Sequence, residues 1–136
     1  MLQISVFLEN RAGSLEGALM CVAAENIDIR AISLADTSDF GILRMIVDKR
    51  LKAEEALRKH NYVVGLTEVV VLELPDRPGV LLSIVKLLAS ENINIEYMYP
   101  FAGKDAVLPG MVFRFDKLDY AREILVAANF RELSET

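Results

Sequence analysis

The sequence predicts an α+β fold built twice, as two consecutive βαββαβ units, each with a four-stranded antiparallel sheet and both helices on one face. Three observations carry this reading: an internal repeat, alternating apolar residues opening each copy, and a helical apolar stripe following them. Sliding the chain by 66 residues places Leu8 on Leu74, Arg11 on Arg77, Gly13 on Gly79 and Leu15 on Leu81. Ala23 then falls on Ala89, Glu25-Asn26-Ile27 on Glu91-Asn92-Ile93 and Ile29 on Ile95, giving nine identities in 22 ungapped positions. Later the offset becomes 68: Asp48-Lys49 falls on Asp116-Lys117, Asn61 on Asn129, and Tyr62 opposite Phe130. The extra residues of the second copy lie between Pro100 and Pro109, as a loop insertion would. Such self-similarity marks duplicated units, and we set them at 1–66 and 67–136.

Within one copy, Leu2, Ile4, Val6 and Leu8 alternate, which predicts a strand. Leu15, Ala18, Leu19, Val22 and Ala23 then recur on one helical face, matched by Leu81, Ile84, Val85, Leu88 and Ala89. Asn26 and Asn92 stand where these helices should stop. Strands are expected at about 28–35 and 40–47, joined by the polar turn Asp36-Thr37-Ser38-Asp39. A second helix carries Ala53, Ala56, Leu57 and His60, matched by Ala121, Ile124, Leu125 and Ala128. A short strand from Tyr62 closes the copy. This order is the ferredoxin-like split βαβ, and single apolar stripes put both helices on one side of the sheet.

Composition narrows the function. Hydrophobic residues are 53% and charged residues 26%, enough for a packed core. A net charge of -5 argues against nucleic acid, which needs a basic footprint. The start of the chain lacks the basic and apolar regions of a signal peptide, and the apolar runs are too short or too charged to span a membrane. The single cysteine, Cys21, permits no intrachain disulfide and fits a cytoplasmic protein. One His and one Cys make no metal cluster. His60, at a helix end on the apolar side, has no triad partner at a telling spacing. No phosphate-binding or dinucleotide motif is present. No cofactor is expected.

The decisive segments are Leu8-Glu9-Asn10-Arg11-Ala12-Gly13-Ser14-Leu15 and Leu74-Pro75-Asp76-Arg77-Pro78-Gly79-Val80-Leu81. Each joins strand 1 to helix 1, and each is followed by Glu-Asn-Ile-Asp-Ile (25–29) or Glu-Asn-Ile-Asn-Ile (91–95) leading into strand 2. Both closely resemble the signature of ACT domains, the amino-acid-sensing modules attached to many biosynthetic enzymes. The whole chain is similar to stand-alone tandem ACT proteins, for which no enzymatic activity is implied. The resemblance implies a ligand site at Asn10, Arg11, Ala12 and Gly13 with Asp28, and at Asp76, Arg77, Pro78 and Gly79 with Asn94. Each copy would then offer one amide and one carboxylate.

The physics of the motif agrees. A helix N-terminus presents unpaired N–H groups and the positive end of its dipole to a carboxylate. A glycine there allows a sharp turn and close approach of a ligand. A carboxylate suits an α-ammonium, and an amide can bond either end. Asn10 and Asp76 are equally the residue types that cap helices, and Asp28 and Asn94 equally suit a solvated strand start. Arg11 and Arg77 either clamp a carboxylate or cover the loop with their stems. Leu8 and Leu74 replace the ring-nitrogen residue of some serine-sensing relatives, and Ala12 replaces the proline seen at Pro78. Cys21 is expected to be buried and inert. The row Tyr97, Tyr99, Phe101 is read as core or interface, and Arg44 and Arg114 as lying opposite the core side of strand 3.

In Val69-Val70-Val71-Leu72 both faces are apolar, so both should be covered. The family usually pairs its domains side by side into a larger sheet with ligands at the seam. We therefore expect an allosteric amino-acid-binding protein, a homodimer or an internal pair, acting on a partner enzyme of amino-acid metabolism. The alternative is an interaction subunit of such an enzyme, like the small subunit of acetolactate synthase, without ligand sensing of its own. An apolar ligand side chain is expected from Leu8, Leu74 and the Tyr97–Phe101 row.

Overall fold

A computed structural model describes residues 1–37, 39–103 and 109–134. Ser38 of the expected turn and most of the expected insertion, 104–108, lie outside the described residues. The elements are β1 (Leu2–Glu9), α1 (Ser14–Ala24), β2 (Ile29–Asp36), β3 (Phe40–Val47), α2 (Arg50–Lys59) and β4 (Val63–Glu68). They continue as β5 (Val70–Glu73), α3 (Val80–Ser90), β6 (Ile95–Phe101), β7 (Gly110–Phe115) and α4 (Leu118–Ala127). The chain divides into two compact units, Leu2–Thr67 and Glu68–Thr136, with Met1 joined to the second. That joining is a two-bond bridge: the terminal ammonium donates to Val69 O at 3.2 Å and Val69 N donates to Met1 O at 2.9 Å.

The first unit's sheet has the order β2-β3-β1-β4. The β1–β3 register sets Ile4 opposite Met45 and Val6 opposite Leu43. Opposed residues share a face, and these four are fully buried with Ala18, Val22, Ala53 and Leu57 of the helices. The predicted alternation of β1 is therefore the core side of the sheet. Burying a Leu or Ile completely contributes about 1.5–3 kcal/mol over leaving it exposed. The opposite face carries Ser5, Phe7 and Glu9 against Arg44, Ile42 and Phe40.

The second unit's sheet has the order β5-β7-β6. Its core face carries Val70, Leu72, Phe113 and Phe115 under Ile84, Leu88, Ala121 and Leu125. The closing strand expected here is reduced to a bridge between Leu72 and Glu132, flanked by Glu73 N to Arg131 O and Leu133 N to Val71 O. The polar run Arg131-Glu132 has no apolar alternation to lay on a core, unlike Val63-Val64 of β4. All of Val69, Val70, Val71 and Leu72 are fully buried, so both faces of this segment are covered as expected. Arg114 lies opposite Tyr97, and Val112 opposite Tyr99, on the helix-free face. Tyr99 is buried there, with Tyr97 stacked beside it at 6.4 Å.

The helix stripes need correction. In α3 the buried positions are Val80, Ile84 and Leu88, while Leu81, Leu82 and Val85 are exposed. Ala23 and Ala89 are also exposed. Where nearly every helical position is apolar, periodicity loses its phase and only the sheet decides which side packs. His60 is exposed rather than on the apolar side, its Nδ1 2.9 Å from Ala56 O. Cys21 is buried, as expected. Asn26 and Asn92 do end their helices, at φ 55° and 57°. Asn61 and Asn129 do the same after α2 and α4, at 67° and 66°. Asn tolerates this left-handed conformation better than most side chains.

Candidate functional site

In each unit the strand 1–helix 1 turn is exposed from Asn10 to Gly13 and from Asp76 to Gly79. Gly13 and Gly79 occupy the N-cap positions of α1 and α3, at φ 92° and 86°. A side chain at this φ is strained, which is why glycine stands there. An added Cβ would meet nothing within 4 Å at either position, so the space beside each glycine is open.

Neither helix start has a side-chain cap, so Asn10 and Asp76 are not caps. Asn10 instead donates from Nδ2 to Asp36 Oδ1 at 3.3 Å, fastening the turn to the end of β2. Arg11 bonds Glu9, Nε to Oε2 at 2.7 Å, with both side chains mostly exposed. It lies over the loop as a surface residue. The two turns place their acidic residue differently: the first turn of α1 contains Glu16 and that of α3 contains none, whereas the loop before the helix carries Asp76 in the second unit and neutral Asn10 in the first.

Asp28 and Asn94 sit elsewhere. β1 and β2 are both antiparallel to β3, hence parallel to each other. The turn follows the end of β1, beside Phe40 and Gly41, whereas Asp28 precedes Ile29, which pairs with Val47. The length of β2, roughly 25 Å, therefore separates Asn10 from Asp28. The same registers separate Asp76 from Asn94. The structure does not bring together the two polar residues expected to cooperate within each copy.

A repeated clasp holds the start of strand 2. Asp28 N donates to Asp48 Oδ1 at 2.9 Å, and Asp48 N to Asp28 O at 3.1 Å. Asn94 and Asp116 make the same pair at 3.0 and 3.2 Å. Next to them, Lys49 Nζ donates to Asn26 O at 3.1 Å and Lys117 Nζ to Asn92 O at 2.9 Å. The lysine ammoniums satisfy carbonyls at the ends of α1 and α3, where the dipole favours a cation. The Asp-Lys identity was visible in the repeat, but its partners are distant in sequence.

Other charged groups are structural. Glu54, almost fully buried, bridges Arg50 and Arg58 along α2. The equivalent position in α4 is Arg122, paired with Glu132 at 3.0 Å and Glu68 at 3.2 Å. Burial works against the Arg122 charge, but bonds and attraction to Glu132 and Glu68 outweigh it and raise its pKa. Tyr120 donates to Glu91 at 2.7 Å, which holds its phenol above the usual 10.0. A shallow concavity lined by Leu51, Glu54, Glu55, Arg58 and Lys59 lies on α2 and includes none of the expected site residues. Among the described residues no cluster could hold a metal ion, and no helix is long and apolar enough to cross a membrane.

Comparison with known proteins agrees with this geometry. The chain is similar over 97% of its length, and 90% of the other's, to protein BT0572 of Bacteroides thetaiotaomicron, with 36% identity and a TM-score of 0.88. It shares its fold with the regulatory subunit of aspartate kinase from Thermus thermophilus, at 17% identity, 93% and 91% coverage and a TM-score of 0.62. The corresponding subunit from Thermus flavus matches at 17% identity, 94% and 92% coverage and 0.59. No curated protein sequence matches. The sequence model of the family described as "ACT domain pair" matches residues 1–136, and the chain belongs to that family.

Proposed function

We propose that this chain is a non-catalytic regulatory protein that binds an amino acid at its strand 1–helix 1 turns. The observation that carries the reading is the helix start behind Gly79. It is exposed, with open space beside the glycine, without a side-chain cap and without an acidic residue in its first helical turn. Its backbone N–H groups suit the carboxylate of an amino acid. The second turn is closer to the family pattern, because Pro78 stands where the first has Ala12. Asp76 and Arg77 flank the ligand, Pro78 shapes the turn, and Asn10, Arg11 and Ala12 play these parts in the first unit. Asp28 and Asn94 lie too far from the turn of their own unit, so each serves a turn of a neighbouring ACT unit. A single buried cysteine suits the reducing cytoplasm. Ligand would act on a partner enzyme by favouring one packing of paired units over another.

A thermal-shift screen against the standard amino acids tests this. Ligand at about 100 times Kd stabilises by roughly 2.7 kcal/mol. Asp76→Ala and Asn94→Ala should abolish the shift while remaining folded, and unchanged affinity in both rejects the site. The second reading, an interaction subunit of a biosynthetic enzyme, is favoured by exposed Leu81, Leu82 and Val85 on α3. A stable stoichiometric enzyme partner together with no amino-acid response would select it.

A further inference from the structure

We propose that residues 131–133 are a releasable latch, a fourth strand of the second unit that is pinned by charge and opens without the rest of that unit unfolding. In the first unit the fourth strand is β4, six residues long, and its Val64 packs against the core. In the second unit the same place holds one bridge, Leu72 to Glu132. Two backbone bonds flank it, Glu73 N to Arg131 O at 2.9 Å and Leu133 N to Val71 O at 2.8 Å. A segment with so few ladder bonds and so little buried apolar surface belongs to the parts of a fold that open first.

Charge takes the place of packing. Glu132 is the counterpart of Val64 under the repeat's offset of 68. Its carboxylate cannot join an apolar core unpaired, and Arg122 of α4 donates from Nε to both its oxygens at 3.0 Å. On the preceding residue, Arg131 Nη1 lies 3.1 Å from Glu73 Oε2. Leu72 faces the core and Glu132 stands opposite it, so the Arg122 pin is on the helix side. Glu73 and Arg131, one residue along each strand, lie on the other side. The segment is thus pinned on both faces. The first-unit counterparts of Glu73 and Arg131 are Phe7 and Val63, which carry no charge.

Both pins can let go at low cost. All four side chains reach water, from 19% exposed at Glu73 to 75% at Arg131. Ion pairs that reach water hold weakly. Opening strands no charge either, since stranding one is what makes the loss of a partner costly. Arg122 keeps Glu68 at 3.2 Å and Asp119 at 3.7 Å, and Glu132 regains water.

One consequence rests on the amino-acid reading. The latch bonds the N–H of Glu73, and Asp76 of the second turn is three residues further on. Closure therefore fixes the chain that enters the turn. A ligand that needs an ordered turn favours the closed latch, and the closed latch favours that ligand to the same degree.

Amide hydrogen exchange of the full chain reads the latch directly. The Glu73 and Leu133 amides should exchange faster than those of the central strand β7. Glu132→Lys should speed both about tenfold and leave β7 unchanged, which shows the unit still folded. Glu132→Val, which restores the first unit's mode of attachment, should slow both. Glu123→Lys, the same charge change at an exposed position of α4, should alter neither. Exchange at Glu73 and Leu133 as slow as in β7, or equal rates in the parent and both Glu132 variants, overturns the latch. In a mixture of the standard amino acids, slower exchange at Glu73 supports the coupling to the turn. A thermal shift in that mixture without the slowing overturns the coupling. The exchange rates of the variants need no ligand, so the latch and the amino-acid reading fail separately.

Discussion

The two units keep one set of contacts and rewrite another. The clasp at the start of strand 2 is repeated bond for bond by Asp48-Lys49 and Asp116-Lys117. The tie between the paired helices is not. Lys52 faces Glu25 across 3.8 Å as an ion pair, whereas its equivalent Tyr120 donates a 2.7 Å hydrogen bond to Glu91. Nearby, a Cβ on Gly17 would run into the Tyr62 hydroxyl. The equivalent residues of the second unit are Ser83 and Phe130. The unit with the hydroxyl has a helical glycine beneath it, and the unit without the hydroxyl has a larger residue. Backbone groups that must be satisfied are conserved between the copies, while side-chain contacts drift in compensating pairs.

The strongest test of this comparison is Gly17→Ala. Overpacking against Tyr62 should cost about 1–3 kcal/mol in chemical denaturation. In a Tyr62→Phe background the sign should reverse, because Ala in a helix is favoured over Gly by roughly 0.5–1 kcal/mol. Additive effects of the two changes would dissolve the pairing.

The clasp should give the next largest effect and the same one in both units. Asp48→Ala and Asp116→Ala should each lower stability by about 1 kcal/mol, the worth of one such bond. Asn at either position, which keeps an acceptor oxygen, should recover most of it. A loss in only one unit would show that the repeated geometry is not energetically equivalent.

The helix tie should give the smallest effect, and a distinctive pH dependence. The Tyr120 phenol is raised by its bond to Glu91, so the stability it contributes is complete below pH 10.0. That contribution is lost as the pH rises through its folded value. Tyr120→Phe should remove this alkaline decline without changing the neutral-pH fold. A decline that persists in the variant assigns it to another group.

Much of this was legible in the residues. The alternation of Leu2, Ile4, Val6 and Leu8 marks a strand whose apolar side must face the helices, but not that Gln3 and Ser5 on its other side are buried as well. Two copies of the turn, each with its glycine, located the exposed helix starts. α3 was not legible in the same way, because Val80-Leu81-Leu82 and Leu87-Leu88-Ala89 offer apolar residues on every side. Nor was the reduced closing strand of the second unit, since one bridge at Glu132 leaves no period to read.

By itself, the sequence determined the duplication, the order of elements in each unit and the glycine at each turn. These depend on local φ preferences and on periods of two and 3.6 residues, which neighbours along the chain express. Only the tertiary structure decided that Asn10 and Asp28 stand at opposite ends of one sheet, and that Asp48 and Asp116 are clasps. Such placements follow from strand direction and register, which link residues about 20 positions or more apart and leave no periodic trace.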